Sequence, residues 1–303
     1  MKKEFFVVLC VALLVGMMTW KCTESGRQKR QEEQAFESSS DASRIRHQIT
    51  ICGDEWLGYA VFRSPRFRRE LEDRGVAARF EMEPDFQKRF EKLASGECDL
   101  VCATIDSYLV NGQRSNYPGV ILFGIDESYG GDAIIAGPSV SSLDDLKRES
   151  ISGALVGYSP SEFLLKSQIA HFGLDALTEK IPSFRVEDAP SAFNRLRGGG
   201  VDFAVLWEPF ASKALQEISG SHRIMDTRQA RAIIYDVAIA SRTLVTEEPE
   251  VAQSITDAWF ASLHHYLSVR SEFEALARED TGESESGAKA MLAGIRFLSA
   301  AEN

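Results

Sequence analysis

An α/β protein built from two successive units is what the sequence predicts for residues 48–303, on three observations. Short apolar runs of strand length alternate with amphipathic segments of about 10–15 residues. Caps and glycine stops punctuate those segments where helices should begin and end, and the alternation runs through once and then again after Pro138. Such alternation predicts βαβ units and mostly parallel sheets.

The elements follow in order. Gln48–Cys52 is the first apolar run, followed by helix-like residues to Arg74 and a strand at Val76–Met82. Asp85–Ala94 places Phe86, Phe90 and Leu93 at i, i+4 and i+7, one helical face. Cys98–Thr104, Val120–Ile125 and Asp132–Ala136 read as strands, the last two flanking the turn from Asp126 to Gly131. Beyond Pro138, Ser142–Lys147 reads as a short capped helix and Ser152–Tyr158 as a strand. The helix at 159–172 is the best marked, with Ser159 as N-cap, Pro160 at the first helical position and Gly173 as the stop. Glu162 completes a capping box by reaching back to the Ser159 amide. The strand Ser183–Val186, the helix Pro190–Arg197, the strand Val201–Trp207 and the helix Phe210–Ile218 come next. Strands at His222–Met225 and Ile233–Ala240 lead into a helical tail, Glu248–Tyr266, Ser271–Arg278 and Ala288–Ala301, expected to pack back on the first unit.

Ahead of this body, residues 5–20 (FFVVLCVALLVGMMTW) carry no charge. A secretory core is typically ~7–15 residues and a spanning helix ~20, so residues 1–22 read as an export signal or an N-terminal membrane anchor. Thr19-Trp20-Lys21-Cys22 offers the cysteine of a lipoprotein signal without its small neighbours, and lipidation at Cys22 is one alternative. Residues 23–47 are polar and read as a flexible linker.

Composition narrows the function classes. The chain has 303 residues, 44% hydrophobic and 26% charged, which is ordinary globular usage, with a formal charge of −11. Residues 23–303 hold 31 basic against 44 acidic side chains, a formal −13. That balance argues against a phosphate-tracking protein, so no nucleic-acid partner is expected. Of the five cysteines, at 10, 22, 52, 98 and 102, three belong to the body. Cys98 and Cys102, read as one strand, would stand roughly 13 Å apart. Cys52 could meet one of them across strands, but plain buried thiols are expected.

Enzyme motifs are missing. Arg197-Gly198-Gly199-Gly200 follows a helix and precedes a strand, the reverse of a phosphate loop, and reads as a turn. His264-His265 are adjacent helix-surface positions without an evident third ligand. No nucleophile elbow and no H-E-x-x-H is present. Neither catalysis nor a metal or cofactor is expected.

Polar and aromatic residues instead collect where strands end, the place where open α/β sheets bind ligands. That rule selects Asp54, Glu55, Trp56 and Tyr59, then Thr104, Asp106 and Ser107, and Ser128 to Asp132. It also selects Ser159 and Ser161, and Trp207, Glu208 and Pro209. Together they supply two aromatic faces and several hydrogen-bonding groups, the make-up of a cleft around a small molecule.

The motifs Asp126-x-Ser128-x-Gly130-Gly131-Asp132, Ser142-Leu143-Asp144-Asp145-Leu146-Lys147, Gly157-x-Ser159-x-Ser161 and Gly200-Val201-Asp202-x-Ala204-Val205-x-Trp207-Glu208-Pro209 occur in that order. With Trp56-Leu57-Gly58-Tyr59 and Gly96-x-x-Asp99 they resemble the solute-binding proteins of ABC importers. The nearest branch takes nitrate, sulfonates, taurine and thiamine precursors, and the resemblance covers about residues 50–270. It implies a type II periplasmic binding fold, two α/β lobes closing on ligand about hinge crossovers. The implied lobes are 48–136 plus 241–303, and 137–240. The implied cleft residues are Trp56, Tyr59, Asp106, Ser128, Asp132, Ser159, Ser161, Trp207, Glu208 and Asp236. The implied ligand is a small polar organic molecule: amine, amide, heterocycle or sulfonate-like. Four carboxylates, Asp106, Asp132, Glu208 and Asp236, disfavour a bare anion. The implied partners are an ABC permease and ATPase, with a periplasmic or extracytoplasmic location, tethered to the membrane through the N-terminal segment. The unusual signal and long linker leave open a membrane-tethered sensor that uses the same fold without transport. Relatives of this fold that make a thiamine pyrimidine carry a cysteine-rich signature not seen at Cys98 or Cys102.

Overall fold

The computed structural model describes residues 45–303. The expected signal or anchor, 1–22, and the linker through residue 44 lie outside the described residues.

Eleven strands form two sheets among the described residues. The first contains β1 (His47–Gly53), β2 (Val76–Met82), β3 (Leu100–Thr104), β4 (Gly119–Ser128), β10 (Tyr235–Ser241) and β11 (Ile295–Phe297), in the order β11-β4-β10-β3-β1-β2. The second contains β5 (Asp132–Ala136), β6 (Gly153–Val156), β7 (Arg185–Val186), β8 (Phe203–Trp207) and β9 (His222–Asp226), in the order β7-β6-β8-β5-β9.

The pairings correct two expectations. The sheets are mixed rather than mostly parallel: β1 runs parallel to β2 and β3, and β6 to β7 and β8. The strand that enters each sheet from the other, β10 or β5, runs antiparallel to both its neighbours. The expected lobe division also moves by one strand at each crossing. The expected division puts β5 with 48–136 and β10 with 137–240, yet β5 registers on β8 and β9 while β10 inserts between β3 and β4. The chain therefore passes between sheets at 129–131 and at 227–234.

Local signals account for most helices. Asp85 caps Phe86–Ser95 by accepting from Lys88 N, and Gly96 ends it at φ +80°. Ser159 caps Pro160–Phe172, but Glu162 does not close the expected box. Its carboxylate accepts from Tyr158 N instead and is held by Arg185 and Lys166. Gly198 and Gly199 form the helix-to-strand turn read from the glycine run. In the tail, Pro249–Ser268 packs on the first sheet, where Trp259 stacks on Phe62 at 4.2 Å. The last expected helix stops at Leu292, because the chain turns at Gly294 and Ile295–Phe297 pairs with the end of β4. A helix at Ile105–Asn111, unmarked in the sequence pattern, is capped by Thr104.

The cysteine expectation is also corrected. β3 starts at Leu100, so Cys98 lies in the preceding turn, folded against β1, and forms a disulfide with Cys52 at a Cα–Cα distance of 6.0 Å. Cys102 remains a buried thiol.

The two crossings are laced together. Ser128 Oγ and Thr227 Oγ1 hydrogen-bond at 2.8 Å, Gly130 N donates to Thr227 Oγ1 at 2.7 Å, and Ser128 N donates to the Ile234 carbonyl at 3.1 Å. Gly130 has φ +102°, a left-handed conformation that glycine adopts without strain.

Candidate ligand-binding site

Strand register brings distant residues into one layer. On the first sheet Asp236 is the Cα partner of both Thr104 and Asp126. On the second, Asp132 at the start of β5 is the partner of Trp207 at the end of β8. Between the sheets lies a narrow cavity of about 20 Å³, close to the size of a single water site, lined by Asp54, Trp56, Tyr59, Phe86, Thr104, Asp132, Pro160, Trp207, Ile234 and Asp236. Its walls thus come from both sheets and from the second crossing.

The aromatic residues are set by close packing. Trp56 Nε1 donates to Asp126 Oδ2 at 3.3 Å. A Cβ on Gly58 would sit 2.0 Å from that Asp126 oxygen and 2.3 Å from the indole nitrogen, and one on Gly131 would sit 2.4 Å from Trp56 Cη2. Only glycine at 58 and 131 leaves room for the ring. Tyr59 OH donates to Asp236 Oδ1. Trp207 Nε1, near the Glu55 carboxylate, makes no hydrogen bond of normal geometry.

The electrostatics are one-sided. Asp54 accepts from Trp56 N at 2.9 Å and pairs with Arg89 at 2.9 Å. Arg89 is fully buried and also donates to the carbonyls of Glu83 and Cys102, so this ion pair is complete. Asp126, Asp132 and Asp236 have no such partner: each is buried, and no basic side chain lines the cavity. Burial pushes Asp126 up to about 8, helped by the charges of Asp132 and Glu127 and opposed by the Trp56 hydrogen bond. Burial likewise raises Asp132 to about 7, with Asp106, Glu208 and Asp54 adding to it. Asp236 is held well above the carboxylate range by burial and by Asp126 beside it. Glu55 rises to about 7 and Asp106 to about 6, burial leading in both. Among the described residues no group of three or more side chains could hold a metal ion.

No family model matches the sequence, and no curated protein does. Solved structures do. The alkanesulfonate-binding protein SsuA of Xanthomonas axonopodis pv. citri, bound to MOPS, matches with a TM-score of 0.70 over 84% of this chain and 87% of that one, at 16% identity. A Candida albicans protein, described as having the generic periplasmic binding protein fold, matches with a TM-score of 0.60 over 83% and 82%, at 15% identity. The chain has the type II periplasmic binding protein fold. The periplasmic nitrate-binding protein NrtA of Synechocystis PCC 6803 shares it, with a TM-score of 0.64 over 79% and 68%, at 11% identity.

Within this binding-protein fold, the ten residues selected from sequence divide into two sets. Trp56, Tyr59, Asp132, Trp207 and Asp236 line the cavity. Ser128 belongs to the joined crossings, its Oγ accepting from Asp132 N at 3.1 Å while it bonds Thr227. Ser159 is occupied as a helix cap. Ser161 is buried with a free Oγ one residue beyond Pro160, outside the lining. The Glu208 carboxylate turns to Ser212 N and Oγ at 3.0 and 2.9 Å. Asp106 is half-buried, its charge felt at Asp132. Of the lining residues absent from those ten, Asp54 and Thr104 carried the strand-end signal. Phe86, Pro160 and Ile234 did not, reading only as core or cap positions. Asp126 stood in the quoted motif, but only the β4–β10 register shows it opposite Asp236.

Proposed function

We propose that this protein is an extracytoplasmic solute-binding protein. It captures a small polar organic molecule between its two sheets and delivers it to an ABC permease and ATPase, without chemistry on the ligand. The observation that carries this reading is the position of the cavity, walled from both sheets beside two laced crossings and lined by buried aromatic rings and carboxyl groups; at about 20 Å³ it widens, by the sheets moving apart, to admit a solute. The Cys52–Cys98 disulfide supports an oxidising location. Two of the proteins of like fold named above bind alkanesulfonate and nitrate, but a cavity lined by two carboxyls without a basic partner, Asp132 and Asp236, and by no basic side chain among the described residues does not suit a bare anion. The expected tether at 1–47 would hold the body near a membrane.

A thermal-shift screen of the full-length protein against small polar organic compounds tests this. A true ligand at 100 times its Kd stabilises by about 2.7 kcal/mol. Trp207→Ala should remove that response, and an unchanged response would exclude this cavity. The N-terminal segment also suits a tethered sensor. Loss of the gene would abolish solute uptake in the transport reading and leave it intact in the sensor reading.

A further inference from the structure

The charge of the solute follows from the cavity wall, given the solute-binding reading above on which this inference rests. Three aspartates line the site, Asp54, Asp132 and Asp236, with Asp126 on the strand beside Asp236, and one of them, Asp54, is fully matched by Arg89. The other three, Asp126, Asp132 and Asp236, are each at most 2% exposed. Asp126 receives a hydrogen bond from Trp56 Nε1 and Asp236 one from Tyr59 OH, but Oδ1 of Asp126 and Oδ1 of Asp132 have no donor among the described residues. Asp132 lines the cavity directly. Leaving a buried acceptor unsatisfied costs about 1–3 kcal/mol, and more when it is charged. Above neutral pH, where these carboxyls ionise and can only accept, a sulfonate, nitrate or carboxylate would bring only further acceptors and more negative charge. An alcohol or amide brings a donor but no charge. An ammonium group brings up to three donors and the missing positive charge together. Two indoles, Trp56 and Trp207, line the same space and offer π-systems that attract a cation and cover its apolar part.

We propose that the cleft takes a compact organic cation, an alkyl- or arylammonium. Its N–H groups donate to Asp132 and to the Asp126–Asp236 pair, and its hydrocarbon part lies against Trp56 and Trp207. The acidic wall is then completed by the ligand rather than by the protein.

The test uses full-length protein and two matched series at mildly alkaline pH: butylammonium, butanol and butanesulfonate, and benzylammonium, benzyl alcohol and phenylmethanesulfonate. Thermal shift and calorimetry are read at millimolar concentration. The expected result is a rise in Tm with an ammonium member and none with its neutral or anionic counterparts. Asp132→Asn should weaken ammonium binding by about tenfold or more while its unliganded Tm stays at or above that of wild type. If Asp132→Asn does not fold, Asp126→Asn carries the same comparison. A shift with the alcohols or sulfonates but not the ammonium compounds, lost in Trp207→Ala, would overturn the cation and leave solute binding standing. Absence of any shift with ammonium members, or full binding in Asp132→Asn, would also overturn it. Failure of the wider polar screen as well would bring down the solute-binding reading.

Discussion

Asp126 and Asp236 stand opposite each other as Cα partners on β4 and β10, and the segment after β1 holds both. Trp56 donates to Asp126 and Tyr59 to Asp236. Two buried carboxyls this close cannot both ionise cheaply, and both are pushed above the usual carboxylate range.

This pair sets the pH dependence of stability. Asp126, Asp132 and Asp236 keep protons in the fold that the unfolded chain releases near pH 4. Their raised values favour the fold in mild acid, and that advantage is lost as pH rises through about 7 for Asp132 and about 8 for Asp126. Glu162, held down at about 2 by Arg185 and Lys166 against the cost of its burial, acts in the opposite sense and fails only in stronger acid. The ligand-free protein should therefore be most stable in mild acid and lose on the order of a few kcal/mol by about pH 9. Melting curves across that range check this, and Asp126→Asn should flatten them.

Cation binding should be linked to the same protons. A bound ammonium group favours the ionised carboxyls, so affinity should rise between about pH 6 and 8 as binding releases protons. Calorimetry at neutral pH in buffers of different ionisation enthalpy measures the release. Heats independent of buffer would contradict the linkage.

Trp56 depends on two glycines. Gly58→Ala and Gly131→Ala each drive a methyl group into the ring or its Asp126 partner. Each should cost about 1–3 kcal/mol of stability and more in ligand affinity, since the ring must leave its seat. Denaturant melts and ligand titrations of the two variants give both quantities.

How much of this was legible in the sequence depends on the kind of signal. Asp85, Ser159, Pro160 and Gly173 mark their helices because caps and stops are local chemistry. Trp56, Tyr59, Asp132 and Trp207, which line the cavity, are legible because they stand at strand ends, where open α/β sheets bind ligands. What stayed hidden was set by pairing between distant segments. The placement of β5 and β10 depends on which sheet accepts each strand. The Cys52–Cys98 bond depends on a turn that starts β3 two residues late. Ser128 and Glu208 read as ligand groups, and in the structure Ser128 bonds Thr227 on the other crossing while Glu208 bonds Ser212 one helical turn on.

A contact between the helix after β3 and the segment after β6 should govern release. Asn111 Nδ2 donates to the Ser107 carbonyl on its own helix and to the Tyr158 carbonyl beyond β6, both at 2.8 Å. Tyr158 takes φ +56°, uncommon for a side-chain-bearing residue. Asn111→Ala should weaken the closed form, raising the ligand off-rate severalfold with little change in on-rate. Stopped-flow tryptophan fluorescence would resolve the two rates.

The disulfide contributes stability that reduction removes. Cys52 and Cys98 are 46 residues apart in sequence, a loop whose closure is worth about 2–4 kcal/mol. Reductant, or Cys52→Ser with Cys98→Ser, should lower Tm correspondingly. Thiol titration of the denatured chain should gain two groups on reduction, and an unchanged count would show that the bond is absent.

The central claim is that solute sits between the two sheets against Trp56, Trp207 and Asp132. The most direct measurement is a crystal structure of the full-length protein grown with its most stabilising compound. Density for that compound inside the cavity, with a nitrogen within hydrogen-bond distance of Asp132 Oδ1, is the result this account predicts. The compound bound elsewhere, with the space between Trp56 and Trp207 unoccupied, would contradict it.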